Sequence, residues 1–312
     1  MRTFPFVSES DLEGHWSWRG ACDAMRRCHL GERAIIGDTL LQEEQNSLLC
    51  RSAWLPNIAC GTKIASVFPD NDRIPPGRAV QSVCILFDPY TGETKALVDG
   101  NLVTRIKTAA DSALGAELLA RSDSEVLTIL GAGVVARSVI DAYGAIFPTL
   151  RRIQIWNRTF AKAERLAQSF QSTPIDVVAI EEIEEAVSSA DIVSSATMAK
   201  DPLIKGDWIR PGTHVDLIGA FTPDMREADD QLMQCAEIFV DAKETTIEDI
   251  GELKIPISRG VIKADDVRGD FYDLCRGHKG RSGPDAVTVF KNGGGGHLDL
   301  MIGMYLLSRV QS

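Results

Sequence analysis

Apolar and polar positions change rhythm twice along the chain. Residues 8 to 31 place Leu12, Trp16, Ala21, Met25 and Cys28 in a rough helical stripe behind Ser8 or Ser10, either of which can cap, so a helix is predicted there. Residues 39 to 55 alternate or run apolar up to Pro56-Asn57, which predicts a strand. Residues 61–68 predict a second strand, stopped by Pro69-Asp70-Asn71. Residues 79–87 predict a third, followed by the turn Asp88-Pro89-Tyr90-Thr91-Gly92, and residues 95–98 a fourth. An alanine-rich helix follows, from about 101 to 120. The first hundred residues therefore read as a helix and an antiparallel sheet.

From residue 125 strand alternates with helix. Strands are predicted at 126–130, 152–156, 175–179, 191–196, 214–218 and 237–241, and helices near 134–147, 159–170, 181–189, 226–235 and 245–253. Alternation with short connections implies a parallel sheet with right-handed crossovers. The strand at 237–241 would be the sixth, completing a dinucleotide-binding fold. The tail from 286 to 310 breaks the rhythm with four glycines and an apolar helix, and is expected to rejoin the first domain. The fold class is α/β. A Rossmann-type doubly wound parallel sheet is expected over 119–285, and an α+β domain built from both chain ends over 1–118 and 286–312.

One junction in this pattern carries chemistry. The run from Val126 to Leu130 ends in Gly131-Ala132-Gly133, and Val134-Val135-Ala136 opens a helix. Gly131 lets the chain turn sharply, and Gly133 lets the backbone approach a pyrophosphate. Ala136 is small enough for helix to pack on strand, and Val134 and Val135 present free N–H groups at the positive end of the helix. The next strand ends in Asn157-Arg158-Thr159, where such folds meet the adenosine ribose. An NAD site places a carboxylate there, whereas an NADP site removes it and supplies an arginine. With no acid and one arginine, the trio predicts NADP(H) as the preferred cofactor, NAD(H) being possible. The other reading is an ordinary strand-to-helix turn, with Asn157 or Thr159 as cap and Arg158 solvated. Ala196 and Thr197, small residues at the end of the fourth strand, leave room for the cofactor.

Composition narrows the partners. The 312 residues are 44% hydrophobic and 25% charged, with formal net charge −11, so neither nucleic acid nor an anionic membrane surface is expected as a partner. No apolar run reaches the roughly 18 residues that span a bilayer. Met1-Arg2-Thr3-Phe4-Pro5 lacks the basic-then-apolar order of an export signal. The seven cysteines are scattered and without C-x-x-C pairs, which predicts reduced thiols in a cytoplasmic protein and no metal site.

Several longer motifs, in order, are similar to those of the ornithine cyclodeaminase/mu-crystallin family. They are Phe87-Asp88-Pro89-Tyr90-Thr91-Gly92, the stretch from Asp99 to Ala113, Leu130-Gly131-Ala132-Gly133, Trp156-Asn157-Arg158-Thr159, the stretch from Pro211 to Ala220, and Val289-Phe290-Lys291. The resemblance covers nearly the whole chain. It implies a nicotinamide cofactor between two domains, and an outer domain that pairs with a second subunit to give a homodimer. It also implies cyclisation of ornithine or lysine with loss of ammonia, reduction of cyclic imines, or an alanine-type dehydrogenation. In cyclodeaminases of this family an aspartate follows the Gly-Gly or Gly-Ala of the fifth strand. Here Phe221 follows Gly219-Ala220, and a phenyl ring can neither move a proton nor pair with an ammonium. Ala53 likewise stands where the ornithine-binding members resemble one another in a glutamate. Both departures remove charge that a diamine needs. The expected activity is NAD(P)H-dependent reduction of a small anionic cyclic imino acid, Δ1-pyrroline-2-carboxylate or Δ1-piperideine-2-carboxylate. Cyclodeaminase and alanine-type dehydrogenase remain the alternatives, and a binding protein without activity a third.

The expected substrate residues are Lys63, Arg51 and Lys107. Lys63 matches the family's carboxylate-binding lysine and stands alone among apolar neighbours, although an exposed face or a guarded sheet edge would also account for it. Lys107 takes the place of the family's arginine, keeping the charge and losing the bidentate fork. The family's early arginine is absent from Asp38-Thr39-Leu40-Leu41-Gln42, and Arg51 is the candidate replacement because it shares a strand face with Ala53 and Leu55. Thr108, beside Lys107, is expected at the cofactor. His297 is expected near the nicotinamide through its glycine-rich turn, the alternative being a structural histidine. Lys63 or a water would supply the proton.

Overall fold

The computed structural model describes residues 4–73 and 78–310, and Met1-Arg2-Thr3 lie outside them. The chain forms two compact units, Met1–Lys107 with Gly295–Ser312, and Thr108–Gly294. In the first unit, β1 (Phe6–Val7) is followed by α1 (Trp18–His29), then by β2 (Ile35–Glu43), β3 (Asn46–Leu55), β4 (Ala59–Val67), β5 (Val80–Phe87) and β6 (Thr94–Asp99). They make one sheet in the order β1-β6-β5-β4-β3-β2, antiparallel except that β1 runs parallel to β6.

Two expectations change here. The strand predicted over 39–55 is a hairpin, β2 and β3, closed by Glu44 and Gln45 with Glu44 at φ +52°. Neither residue is a usual turn former, so no break shows in the apolar pattern. The helix predicted over 8–31 is split. Glu9–Leu12 form a single 3-10 turn behind Ser8, Gly14 reverses the chain at φ +75°, and α1 starts afresh with the Ser17 hydroxyl accepting from Gly20 N–H.

The helix α2 (Gly100–Leu119) leads out of the first unit, and the division falls after Lys107. The second unit holds β7 (Val126–Leu130), α3 (Val134–Ile146), β8 (Arg152–Trp156), α4 (Phe160–Gln168), β9 (Asp176–Ala179), α5 (Ile183–Ser188), β10 (Ile192–Ser195), β11 (His214–Leu217), α6 (Asp230–Cys235) and β12 (Glu237–Val240). Then come α7 (Lys243–Thr246), α8 (Gly251–Ser258), β13 (Val267–Gly269), α9 (Phe271–Cys275) and β14 (Thr288–Lys291). The sheet is wholly parallel, in the order β13-β12-β14-β11-β10-β7-β8-β9. Its core is aliphatic, with Leu130, Val193, Val215, Leu217, Ile238 and Val289 stacked from successive strands.

The tail does not rejoin the first unit at 286. β14 inserts between β11 and β12 and takes the sixth position expected for 237–241, which is displaced one place outward. Thr288-Val289-Phe290-Lys291 is buried throughout, and a four-residue buried run carries no sign of which sheet it will enter. The boundaries accordingly lie at 107 and 294 rather than at 118 and 286. The single helix predicted over 245–253 is two short ones, α7 and α8, because the segment Ile247 to Ile250 turns between them.

The chain returns to the first unit as α10 (Gly296–Val310). It is buried almost all round, and lies over β3, β4 and β5 and against α1. Side chains of the sheet alternate accordingly. Ala53, Leu55, Lys63, Ala65, Cys84 and Leu86 point inward and are buried, while Ile35, Leu41, Leu48 and Trp54 share the opposite face and are exposed. No helix among the described residues is long and apolar enough to cross a membrane.

Candidate active site

In the second unit, the turn after β7 has the geometry its glycines suggest. Gly131 is at φ +115°, its N–H bonds the carbonyl of Trp156 at 2.8 Å, and a Cβ on it would stand 2.8 Å from the carbonyl of Ala196. Gly133 is the N-cap of α3, with open space where a Cβ would be and no capping side chain of its own. The turn opens on a cavity of about 450 Å³ whose lining includes Gly131, Ala132, Gly133, Asn157, Arg158, Ala196 and Thr197. A backbone bare of side chains, a helix N-terminus and an exposed arginine around one cavity fit a dinucleotide. Arg158 stands at the end of β8, and Asn157 secures the turn by donating to the Thr159 carbonyl at 2.9 Å.

The loops bounding this cavity are held by a buried carboxylate. Glu227 Oε1 accepts from the Ser195 hydroxyl at 2.5 Å, from Thr197 N–H at 2.9 Å and from the Thr197 hydroxyl at 2.8 Å. Its Oε2 accepts from Gly219 N–H at 2.5 Å and Ala220 N–H at 3.3 Å. One side chain thus ties the ends of β10 and β11 together. Gly219 is obligatory there, since a Cβ would collide with the Thr197 carbonyl oxygen. Glu252 in turn accepts from the N–H groups of Glu227 and Ala228, at 2.8 and 3.0 Å. Burial, reinforced by the Glu227 charge, pushes Glu252 up to about 7. Lys291, fully buried on β14, donates to the carbonyls of Leu217 and Asn292 at 2.7 and 2.8 Å, and four carboxylates oppose the effect of burial on its charge. Phe221 follows this clamped turn and is 59% exposed.

The first unit gathers cations on the inner face of its sheet. Asp38, Arg51, Lys63 and Cys84 lie in one cross-strand row over β2, β3, β4 and β5. Arg51 Nε bonds Asp38 Oδ2 at 2.8 Å, with both side chains partly exposed. Lys63 is 7% exposed. Its Nζ lies 2.8 Å from each Asp299 carboxylate oxygen and donates to the Thr104 hydroxyl at 3.1 Å. Burial lowers the Lys63 pKa, Asp299 opposes this, and the like charges of Lys107 and Arg51 add to the lowering. Thr104 and Lys107 are three residues apart on α2, hence on one helical face.

His297 is fully buried, its ring centroid 6.0 Å from that of His29 in an edge-on arrangement. Neither of its ring nitrogens has a hydrogen-bond partner among the described residues, and burial, with His29, Lys107 and Arg51 nearby, holds it well below the ordinary histidine range.

The structure therefore groups Lys63 with Arg51 and Lys107 in the first unit, and Gly131, Ala132, Gly133, Asn157, Arg158, Ala196 and Thr197 around one cavity in the second. Val134 and Val135 open α3, Thr159 caps α4, and none of the three lines that cavity. Thr108 offers its carbonyl to Asn292 Nδ2 at 3.0 Å, and His297 packs on His29. Asp299, Thr104, Asp38 and Glu227 escape a reading of the sequence alone. A lone acid inside the apolar helix Leu298 to Leu307 is the available signal for Asp299. Asp38 can be matched to Arg51 only once the hairpin is known.

Comparison with known proteins follows the same lines. The sequence pattern of the ornithine cyclodeaminase/mu-crystallin family matches residues 52–310. A Δ1-pyrroline-2-carboxylate reductase of Paracoccus denitrificans (strain Pd 1222) is 49% identical over 304 residues, 96% of this chain and 95% of that protein. The solved structure of Thermococcus litoralis Δ1-pyrroline-2-carboxylate reductase in complex with NADH and L-proline is similar at a TM-score of 0.90 and 28% identity, over 99% of this chain and 98% of that one. An archaeal alanine dehydrogenase dimer with bound NAD is similar at a TM-score of 0.90 and 25% identity, over 99% and 96%.

Proposed function

This chain belongs to the ornithine cyclodeaminase/mu-crystallin family, and on that premise we propose that it reduces a cyclic imino acid with NAD(P)H. The substrate is Δ1-pyrroline-2-carboxylate or Δ1-piperideine-2-carboxylate, and the product L-proline or L-pipecolate. The observation that carries the reading is the pairing of Arg51 with Lys63 at opposed register positions on β3 and β4, with Lys107 in electrostatic reach. Arg51 and Lys107 supply the positive field that takes a substrate carboxylate, and Lys63, bonded to Asp299, stands beside them. The residue after Gly219-Ala220 is Phe221, so that position offers no acid to a second amino group.

A reduced nicotinamide, when bound, supplies the hydride. Gly131, Ala132 and Gly133 would hold its pyrophosphate, and Arg158 a ribose 2′-phosphate, which supports NADPH as the preferred cofactor. The rest of the task falls to this chain's side chains. They orient the imine by its carboxylate and protonate its nitrogen, because an iminium carbon accepts hydride more readily than a neutral imine. The reading includes a homodimer formed through the exposed apolar face of the first sheet, where Ile35 is 69% and Trp54 46% exposed. It also includes a cytoplasmic setting, which the seven scattered cysteines, none in a C-x-x-C pair, support.

The test is oxidation of NADPH and of NADH by the purified protein with Δ1-pyrroline-2-carboxylate, with Δ1-piperideine-2-carboxylate, and with pyruvate plus ammonia. Turnover with a cyclic imine, faster with NADPH, is expected. Ammonia release from ornithine without imine reduction would overturn the proposal.

A further inference from the structure

Resting on the NADPH reading of the cofactor cavity, we infer that Lys200 leaves Asp224 to become the second cation on the ribose 2′-phosphate, and so makes the cavity select NADPH over NADH. The charged side chains that line this cavity among the described residues are Arg158, Lys200 and Asp201. In the structure Lys200 Nζ is turned to Asp224 Oδ2, 2.7 Å away. With Lys200 so neutralised, one arginine and one aspartate are left to the cavity, and their charges cancel. A phosphate monoester carries about −1.5 to −2 at pH 7. Against Asp201, Arg158 alone supplies no surplus of positive charge for such a group. A preference for NADPH therefore needs a second cation, and Lys200 is the one on the cavity wall.

Its release costs little. Lys200 stands in the loop after β10 and Asp224 in the loop after β11. The two side chains are 71% and 60% exposed, and an ion pair in water is weakly held. When Lys200 leaves, Asp224 keeps the Thr222 hydroxyl, which donates to its Oδ1 at 2.6 Å. The loops themselves stay in place, because Glu227 holds Thr197 on one and Gly219 and Ala220 on the other. Arg158 makes no side-chain hydrogen bond or ion pair among the described residues, so its guanidinium is open to the same phosphate.

Other parts of the cofactor have less use for this lysine. The pyrophosphate is served by the bare turn at Gly131 and Gly133 and by the N-terminus of α3. Trp156, Met198 and Leu203 line the same cavity and offer apolar surface to the adenine ring. The 2′-hydroxyl of NADH is uncharged and leaves Lys200 with Asp224. The rival cation is Lys162 on α4, which follows Arg158 closely in sequence and does not line the cavity.

Binding measurements test this without turnover. Adenosine 2′,5′-bisphosphate and AMP differ only in the 2′-phosphate, and calorimetry reads their affinities, as fluorescence reads those of NADPH and NADH. Lys200→Met should weaken adenosine 2′,5′-bisphosphate and NADPH about tenfold, and leave AMP and NADH within about twofold. Asp224→Asn loosens the hold on Lys200, and should tighten NADPH about two- to threefold with NADH unchanged. Unaltered NADPH affinity in Lys200→Met refutes the inference. So does an equal loss of NADPH and NADH, which would put Lys200 on the pyrophosphate, and so does a loss found in Lys162→Met instead. Weaker NADPH binding in Asp224→Asn would overturn the competition between Asp224 and the phosphate. Should the wild-type protein bind AMP as tightly as the bisphosphate, the NADPH reading itself fails and takes the inference with it. A wild type that prefers the bisphosphate, together with a Lys200→Met protein that prefers it equally, defeats the inference alone.

Discussion

Asp38 and Arg51 face each other across the hairpin, registered as partners on β2 and β3 with Oδ2 2.8 Å from Nε. The segment Asp38 to Gln42, where the family's early arginine is expected, holds no arginine, and the guanidinium comes from the neighbouring strand. The pair is partly exposed, so it contributes little to stability, about 0–1 kcal/mol. Its effect is directional, since an acid bonded to Nε leaves the terminal nitrogens of Arg51 to meet a carboxylate. Arg51→Ala should raise KM for the imino acid about 10- to 100-fold, the worth of a charge-assisted hydrogen bond. Asp38→Ala should raise it less, and neither should move Tm by more than about a degree or so. Steady-state kinetics and a melting curve on each variant decide the matter, and an unchanged KM in Arg51→Ala would exclude the residue from the site.

The two glycines of the β7 turn should fail differently. At Gly131 any side chain meets both a left-handed φ of +115° and the Ala196 carbonyl at 2.8 Å. Gly131→Ala is expected to cost about 1–3 kcal/mol of stability together with cofactor binding. At Gly133 nothing lies within 4 Å of where a methyl group would stand, and φ is −93°. Gly133→Ala should melt with the wild type and yet bind NADPH at least about tenfold more weakly, because its methyl occupies the pyrophosphate's approach. Equal NADPH affinity in Gly133→Ala would remove the turn from the cofactor site.

Stability should carry an unusual pH signature from the second unit. Glu252 titrates at about 7 in the fold against 4.5 ordinarily, and Asp216 at about 6 against 3.8, both chiefly through burial. Between those values the folded chain holds protons that the unfolded chain has lost, so this contribution to stability falls as pH rises and levels off above about 7. His214 slopes the other way. Burial lowers it from 6.5 to about 3, and its contribution is lost as pH falls below about 6.5. Glu252→Gln removes one of the falling slopes. Its Tm relative to wild type should rise by several degrees between about pH 5 and about pH 8. A difference that stays constant across that range would mean that Glu252 is ionised throughout.

The exposed sheet face offers a separate check. Ile35, Leu41, Leu48 and Trp54 stand on one side of β2 and β3, all between 38% and 69% exposed. The double change Leu41→Lys with Trp54→Lys should weaken self-association about a hundredfold or more by sedimentation, while circular dichroism remains that of the wild type. A dimer that survives both lysines would have to use another face.

Local chemistry makes much of this legible in advance. The strand–turn–helix around Gly131 announces itself because three constraints coincide within a few residues: close approach, left-handed backbone and helix packing. Arg51 is legible through alternation with Ala53 and Leu55, which strand geometry alone provides. Asp299 is not, because its partner Lys63 is 236 residues away and no local pattern encodes that distance. Glu44 hides a hairpin by turning without glycine or asparagine. The place of β14 is invisible for a related reason, in that four buried residues fit any gap between parallel strands equally well.

That place has a consequence for synthesis. β11 and β12 are joined only through β14, which is made after every other strand of the sheet. While the chain is still growing on the ribosome, two long-made strands each keep a row of backbone groups without a neighbour, and open edges invite pairing between molecules. The nascent protein is thus most prone to aggregate just before Thr288 to Lys291 emerges, and a chain ended near Ala286 would be lost to insolubility before its chemistry could be asked about.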